Sequence, residues 1–213
     1  MKPDGGCLLV SCSAGGEKQF SGIRLLMKRL AEAGCEHAEW LGFPLEMSRR
    51  RELTRVLVSG HGAETEPAFR GPGPDGEPRL RPALLRLPAK ATLFLLGCYQ
   101  GRPDFRRAWA GGCEVGEERV RGCEGETESA LSTCLLLHLL EEGPGSLERW
   151  FAVWVRCNVS LAPYFPQLRA AYTASGGDPL ETWELIREMP ALQPFTDFLG
   201  AAERHPEYLT GLA

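Results

Sequence analysis

Two short apolar runs in this chain each end in glycine and a side chain that can do chemistry. The run VLVSGHG spans residues 56–62 and places His61 between two glycines, and the run TLFLLGC spans residues 92–98 and ends in Cys98. A neutral imidazole beside a thiol takes its proton and leaves a thiolate, which is a strong nucleophile. If the two side chains meet, the pair predicts a cysteine hydrolase.

The spacing of the two runs favours such a meeting. His61 and Cys98 lie 37 positions apart (98 − 61), which suits one crossover between neighbouring parallel strands. Open α/β sheets carry their sites at the carboxyl edge, where both side chains would lie. The backbone N–H groups of Gly62 and Cys98 can also face a developing oxyanion, and Gly97 and Gly101 permit a tight turn around the thiol.

The surrounding pattern predicts an α/β sandwich with a mainly parallel sheet over residues 7–155, because strand-like and helix-like segments alternate. The predicted strands are Cys7–Cys12, Glu39–Phe43, Val56–Ser59 and Leu93–Leu96, with a further strand near residues 113–115 of an otherwise irregular stretch, Gly111–Gly125. The predicted helices are Phe20–Ala33, one that starts over Pro103–Trp109, and Thr127–Leu140; residues 147–155 form a helix or a strand, and Thr65–Arg79 is a surface loop. We place the domain boundary after residue 157, with residues 158–213 as a helical C-terminal extension packed on the first domain.

Composition narrows the function classes. A net charge of −4 provides no basic footprint for nucleic acid, and no apolar run reaches the ~20 residues of a membrane helix. We expect no signal peptide and no Cys-x-x-Cys metal or redox motif. We therefore predict a reduced, cytoplasmic protein in which the cysteines with apolar neighbours are buried thiols. These cysteines are Cys7, Cys12, Cys35, Cys134 and Cys157.

A strand ending in Ser-Gly-His-Gly and a later strand ending in Gly-Cys resemble the clan of cysteine peptidases that holds caspases, metacaspases, gingipains, clostripain, separase and CHAT domains. The resemblance covers about residues 7–155. The spacing Cys-x-x-Gly from Cys98 to Gly101 is closer to CHAT-like bacterial members than to the Cys-x-Gly of caspases. The resemblance to this clan implies a caspase-like three-layer sandwich that needs no cofactor or metal. It also implies that His61 is the acid and base, that Cys98 is the nucleophile, and that Gly62 and Cys98 form the oxyanion hole.

The resemblance also implies a substrate pocket and a biological setting. The pocket is formed by the loops Ser13–Gln19 and Cys113–Glu128. Carboxylates there would select Arg or Lys by charge pairing. The candidates in these loops are Glu17, Glu114 and Glu126, and Asp104, just past Cys98, is a further candidate for an acidic pocket wall. Any one of them can equally be a solvated surface acid. The setting is a regulated bacterial defence (antiviral) or cell-death pathway, with a protein substrate and an activating protease or regulatory partner. The basic residues Arg119 and Arg121 mark a site where cleavage could relieve latency.

Three alternatives stay open. Cys134 and His138, four apart on a predicted helix, could face each other, and with Cys113 and Cys123 they could be imagined as zinc ligands, although these spacings match no usual structural zinc site. Residues 13–16 (Ser-Ala-Gly-Gly) could bind phosphate at a helix N-terminus in a module without catalysis. A catalytically silent caspase-like scaffold is the third alternative.

Overall fold

The computed structural model describes residues 6–12, 31, 34–73, 75–129, 131, 147–193 and 196–197. The strands are β1 (Gly6–Ser11), β2 (Glu36–Glu39), β3 (Leu45–Glu46), β4 (Leu53–Ser59), β5 (Leu85–Arg86), β6 (Thr92–Leu96) and β7 (Val120–Gly122). The α-helices are α1 (Pro103–Cys113), α2 (Leu147–Leu161), α3 (Phe165–Ala174) and α4 (Pro179–Glu188).

Five strands form one sheet in the order β2-β1-β4-β6-β7, and every neighbouring pair is parallel. The α/β class and the mainly parallel sheet are therefore as the sequence predicts. The three central strands are apolar on both faces, as expected of parallel strands that are covered on both sides. One face carries Leu8, Val10, Val56, Val58, Leu93 and Leu95, and the other carries Leu9, Leu57 and Phe94, all of them buried.

Helix α1 covers the first of these faces. Its buried side chains Phe105, Trp109, Ala110 and Cys113 recur at helical spacing and join the core cluster of the sheet. Pro103 occupies the first helical position, where its missing N–H costs nothing, and Glu114 ends the helix in the left-handed conformation (φ 62°). The predicted strand near residues 113–115 is therefore wrong, since the chain ends a helix there.

Two further strand positions differ from the sequence-based prediction. The second strand covers Glu36–Glu39, earlier than the predicted Glu39–Phe43, and it lies at an edge of the sheet, where mostly exposed polar residues conceal the strand pattern. Strand β7 lies in the stretch predicted to be irregular and pairs with β6. Arg121 therefore belongs to a strand, and Arg119 to a 3-10 turn, Glu117–Arg119.

The loop between the two key strands is packed onto the molecule. Phe69 is 0% exposed, and isolated antiparallel bridges join it to Gly62 and to Leu80. Arg79 forms ion pairs with Glu66 and Glu77 across the same loop. Thr65–Arg79 is thus a loop, as predicted, and the buried side chain of Phe69 and its bridges to Gly62 and Leu80 hold it against the protein.

Cys7 and Cys35 form a disulfide, with their Cα atoms 4.7 Å apart. The pairing extends the parallel register of β1 and β2, in which Leu8 lies opposite Glu36. The prediction that these two cysteines are free thiols is therefore wrong, and so is the assumption of uniformly reduced cysteines that supported a cytoplasmic location. Cys12, Cys98, Cys113, Cys123 and Cys157 are free.

The chain divides into two compact units: residues 1–16 with 30–127, and residues 17–29 with 128–213. The first contains the sheet and α1, and the second contains α2, α3 and α4. The boundary that the sequence predicts after residue 157 falls inside α2, which is a helix where the sequence left helix and strand open. Most of the predicted helix Phe20–Ala33 and most of the predicted helix Thr127–Leu140 lie outside the described residues. No helix among the described residues is long and apolar enough to cross a membrane.

Candidate active site

The parallel pairing of β4 and β6 brings the histidine and cysteine turns together. Ser59 lies opposite Leu96 at the end of the ladder, and each strand then continues two residues to His61 and Cys98. The Gly60 N–H still donates to Leu96 O at 3.3 Å, so the two chains leave the sheet side by side. Both His61 and Cys98 are partly exposed. The prediction that the two residues follow the carboxyl ends of adjacent parallel strands is confirmed.

Glycines make the close approach of these turns possible. A Cβ at Gly62 would lie 2.1 Å from Cys98 O and 2.9 Å from Cys98 N. A Cβ at Gly97 would lie 2.8 Å from Gly60 O and 2.5 Å from the ring of Phe69. Real side chains cannot occupy such positions without moving the backbone, so the backbone of Gly62 lies against that of Cys98 only because Gly62 has no side chain.

The thiol of Cys98 contacts Thr127. The Thr127 backbone N–H donates to Cys98 Sγ at 3.4 Å, the Thr127 hydroxyl lies 3.4 Å from the same sulfur, and the thiol can donate to Thr127 O at 3.8 Å. These contacts hold the thiol against the loop that carries Thr127. Sequence reasoning placed Thr127 at the start of a helix and did not assign it to the site.

Tyr99, which follows the nucleophile candidate, has an unusual backbone conformation. Its φ is 65°, a left-handed value that costs a bulky residue energy and occurs often at functional turns. Its N–H donates to Gly125 O at 2.8 Å, and its hydroxyl donates to Glu126 Oε1 at 3.2 Å. These bonds hold the turn after Cys98 against the loop that leads to Thr127.

Negative charge surrounds this tyrosine. Burial first, and then the hydrogen bond and charge of Glu126 and the charge of Glu64, together raise the pKa of Tyr99 to about 12. Both carboxylates belong to loops that adjoin the thiol: Glu64 follows His61 by three residues and Glu126 precedes Thr127. Two carboxylates therefore act on the residue that follows Cys98, and the cation of Arg102, which donates to Glu64 O at 3.3 Å, lies in the same region.

Gln100 connects the two turns and was also missed by the sequence. Its side chain is fully buried and donates to Ala63 O at 3.0 Å and to Cys98 O at 3.3 Å. Its carbonyl accepts a hydrogen bond from Trp109 Nε1 at 3.0 Å. A glutamine in a polar turn has no sequence signal that separates it from a solvated residue.

The four predicted substrate-binding acids lie in different places. Glu126 contacts Tyr99, and its neighbour Thr127 contacts the thiol. Asp104 lies in the first turn of α1, exposed, 3.4 Å from Arg102. Glu114 lies at the other end of this 11-residue helix and pairs with Arg86. Because α1 runs about 16 Å away from the turn that carries Cys98, Glu114 is remote from the thiol. Glu17 lies outside the described residues.

The alternative sites receive no support from the described residues. Among them, no group of three or more His, Cys, Asp or Glu side chains is placed to hold a metal ion. Burial raises the pKa of Cys113 to about 12 and also raises that of Cys123, which suits buried thiols. Cys134, His138 and the phosphate-loop candidate, residues 13–16, lie outside the described residues.

No family model, curated protein or solved structure matches the chain.

Proposed function

We propose that this chain is a cysteine endopeptidase with a caspase-like three-layer fold, in which His61 and Cys98 form a catalytic dyad. One observation carries the proposal: β4 and β6 are adjacent and parallel, and His61 and Cys98 follow their paired ends at the same distance of two residues. A histidine and a partly exposed cysteine at one sheet edge are the two groups that nucleophilic acyl transfer needs. The resemblance in the strand-end motifs supports the same assignment.

The proposed reaction has two steps. His61 accepts the thiol proton, and the Cys98 thiolate attacks the peptide carbonyl carbon to form a tetrahedral oxyanion. The C–N bond then breaks, His61 protonates the departing amine, and a thioester joins the substrate acyl group to Cys98. Water attacks this thioester with His61 as the base, which releases the acid and restores the thiol.

The backbone around the thiol supports oxyanion binding. Gly62 lies against Cys98 N, so two main-chain N–H groups belong to the same small region. Such preorganised donors stabilise the charge that develops in the transition state, and the loss of one costs on the order of 100-fold in rate. Gly62 and the amide of Cys98 are the residues that we assign to this role.

We propose a basic residue on the acyl side of the cleaved bond. Among the predicted acids, Glu126 is the one whose neighbouring residue contacts the thiol, and Glu64 adds negative charge at the same surface. A substrate Arg or Lys would pair with this charge. The family resemblance further suggests a protein substrate, a regulated bacterial defence or cell-death pathway, and control by a protease or regulatory partner.

The test combines an electrophilic peptide probe with peptide cleavage. Wild-type protein, Cys98→Ala and His61→Ala are incubated with acyloxymethyl ketone probes that end in Arg, Lys or Asp. A peptide library is cleaved in parallel and its products are identified by mass spectrometry. We expect labelling of the Cys98 peptide in the wild type only, and cleavage lost by at least 1,000-fold, on the order of a missing nucleophile, in Cys98→Ala.

Cys113→Ala is the matched control, because it removes a buried free thiol and should retain both labelling and cleavage. Cleavage by purified Cys98→Ala would remove Cys98 from the mechanism. Labelling that is unchanged in His61→Ala would remove the dyad, and a well-folded wild type with neither labelling nor cleavage would favour a silent scaffold.

A further inference from the structure

The side chain of Gln100 forms hydrogen bonds with the turn that contains His61, with the turn that contains Cys98, and with the core. The residue is 0% exposed, and its amide bonds to Ala63 O, Cys98 O and Trp109 Nε1. The orientation of the amide is unambiguous, because two of these partners can only accept and the third can only donate. Both N–H donors of the amide are therefore used.

The two carbonyl partners belong to different turns. Ala63 follows His61 by two residues, and Cys98 is the proposed nucleophile itself. The single nitrogen Nε2 thus bridges the histidine turn at 3.0 Å and the cysteine turn at 3.3 Å. Moving one turn relative to the other would break one of these two bonds.

The turns need such a bridge because they are rich in glycine. Gly62 and Gly97 allow the close approach of the two backbones, yet glycine also gives a chain its greatest conformational freedom. Packing alone cannot replace the bridge, because an apolar side chain of the same volume removes the donor to Ala63 O and to Cys98 O.

The other end of the amide is anchored in the core. Trp109, whose N–H donates to Gln100 Oε1, is 0% exposed on α1 and packs against Phe69, with ring centroids 5.8 Å apart. The ring of Phe69 in turn lies next to Gly60 and Gly97, and it is the group that a Cβ atom at Gly97 would approach most closely. Gln100 therefore connects the histidine turn and the cysteine turn to one buried group in the core, the side chain of Trp109.

We propose that Gln100 is a positioning residue that sets the separation of His61 and Cys98; this inference rests on the proposed dyad. Its loss should lower the rate of the chemical step, because a misplacement of about 1 Å costs on the order of 100-fold. It should leave substrate binding almost unchanged, because Gln100 is buried and touches no solvent.

The experiment compares Gln100→Met with the wild type and His61→Ala. Methionine keeps the length and volume of glutamine and loses both donors. Alkylation of Cys98 by iodoacetamide is followed over pH by mass spectrometry of the Cys98 peptide, and kcat and KM are measured on the best peptide. We expect the alkylation profile to move toward that of His61→Ala and kcat to fall on the order of 100-fold, with KM within about threefold.

Thr182→Val is the control for general destabilisation. Thr182 is 0% exposed, and its hydroxyl hydrogen-bonds to Ser175 and Asp178, so its loss also removes buried hydrogen bonds from residues outside the site. This variant should melt at a lower temperature with an unchanged Cys98 profile. Folded Gln100→Met with wild-type alkylation and kcat would overturn the inference.

Two further variants keep the inference testable if methionine prevents folding. Gln100→Glu retains an acceptor for Trp109, and because burial keeps its carboxyl group protonated it has one donor, which cannot bridge both carbonyl oxygens, so it should show a similar loss. Trp109→Phe keeps both donors and removes only the anchor, so its loss should be smaller. Two results would contradict the bridge. One is wild-type activity of the folded Gln100→Glu variant, and the other is a larger loss of activity in Trp109→Phe than in Gln100→Glu. A wild-type alkylation profile that equals that of His61→Ala would instead refute the dyad, which separates the two failures.

Discussion

Residue type alone does not distinguish the proposed nucleophile, Cys98, from the other cysteines. Cys12, Cys113, Cys123 and Cys157 are buried, and burial raises the pKa of each of these thiols. Cys98 is the partly exposed member of the five free cysteines that the structure describes, and a backbone N–H donates to its sulfur. Exposure and that contact, which depend on tertiary packing, make Cys98 the candidate nucleophile.

The proposed selection of substrates with Arg or Lys before the cleaved bond can be tested with the single substitution Glu126→Gln. Glutamine keeps the shape and the acceptor for Tyr99 and removes the negative charge. We expect kcat/KM for Arg- and Lys-ending peptides to fall about 10- to 100-fold, since a charge-assisted hydrogen bond is worth about 1.5–3 kcal/mol. The ratio to neutral-ending peptides is measured in the same assay.

Glu124→Gln provides the comparison, because Glu124 is an exposed acid two residues earlier on the same loop. It should change the ratio by less than about threefold, as a screened surface charge does. An equal effect of both variants, or a preference for Asp-ending peptides in the wild type, would rule out selection by Glu126.

At the scale of elements, two strand ends and their glycines make the site. Strands β4 and β6 are held in parallel register up to Ser59 and Leu96, and beyond these residues only small groups permit the backbones to stay together. The proposed catalytic geometry thus depends on the absence of side chains at these glycines as much as on His61 and Cys98 themselves.

Gly62→Ala tests this dependence. The new methyl group would lie 2.1 Å from Cys98 O, so the two turns must separate. We expect kcat to fall on the order of 100-fold or more and Cys98 alkylation to lose its dependence on His61. Steady-state kinetics and the alkylation assay on the folded variant provide the measurement.

Gly111→Ala is the matched substitution. Gly111 lies in α1 with open space around the added Cβ, so alanine should leave activity unchanged and stabilise the protein by about 0.5 kcal/mol. Full activity of Gly62→Ala would mean that the close approach of Gly62 and Cys98 is not needed for catalysis.

At the scale of the whole molecule, the Cys7–Cys35 disulfide joins neighbouring strands across a sequence separation of 28 residues. Such a link reduces the entropy of the unfolded chain, which stabilises the folded state by about 3.6 kcal/mol for a loop of this length. We expect the Cys7→Ala/Cys35→Ala double variant to unfold at a lower denaturant concentration by that free energy.

Peptide mapping without reduction checks the link directly and should show the Cys7 and Cys35 peptides joined. The double variant should keep its Cys98 labelling, because β4 and β6 do not contain either cysteine. Separate Cys7 and Cys35 peptides from protein that was never exposed to a reductant, together with equal stability of the variant, would contradict the disulfide.

The sequence by itself determined the parallel core strands, helix α1 and the places of His61 and Cys98. These features depend on local pattern: buried strands are short continuous apolar runs, and glycine marks their ends. The edge strand β2 and the short strand β7 escaped this pattern because neither is a continuous apolar run.

Only the tertiary structure decided what surrounds the two reactive residues. Thr127 lies 29 positions from Cys98 and Phe69 lies 28 positions from Gly97, and these pairs meet through nonlocal packing that no local spacing encodes. The same reason explains why Gln100 appeared to be a turn residue and Cys7 a free thiol. Each role depends on which distant backbone or sulfur lies across from the residue once the parallel sheet has formed.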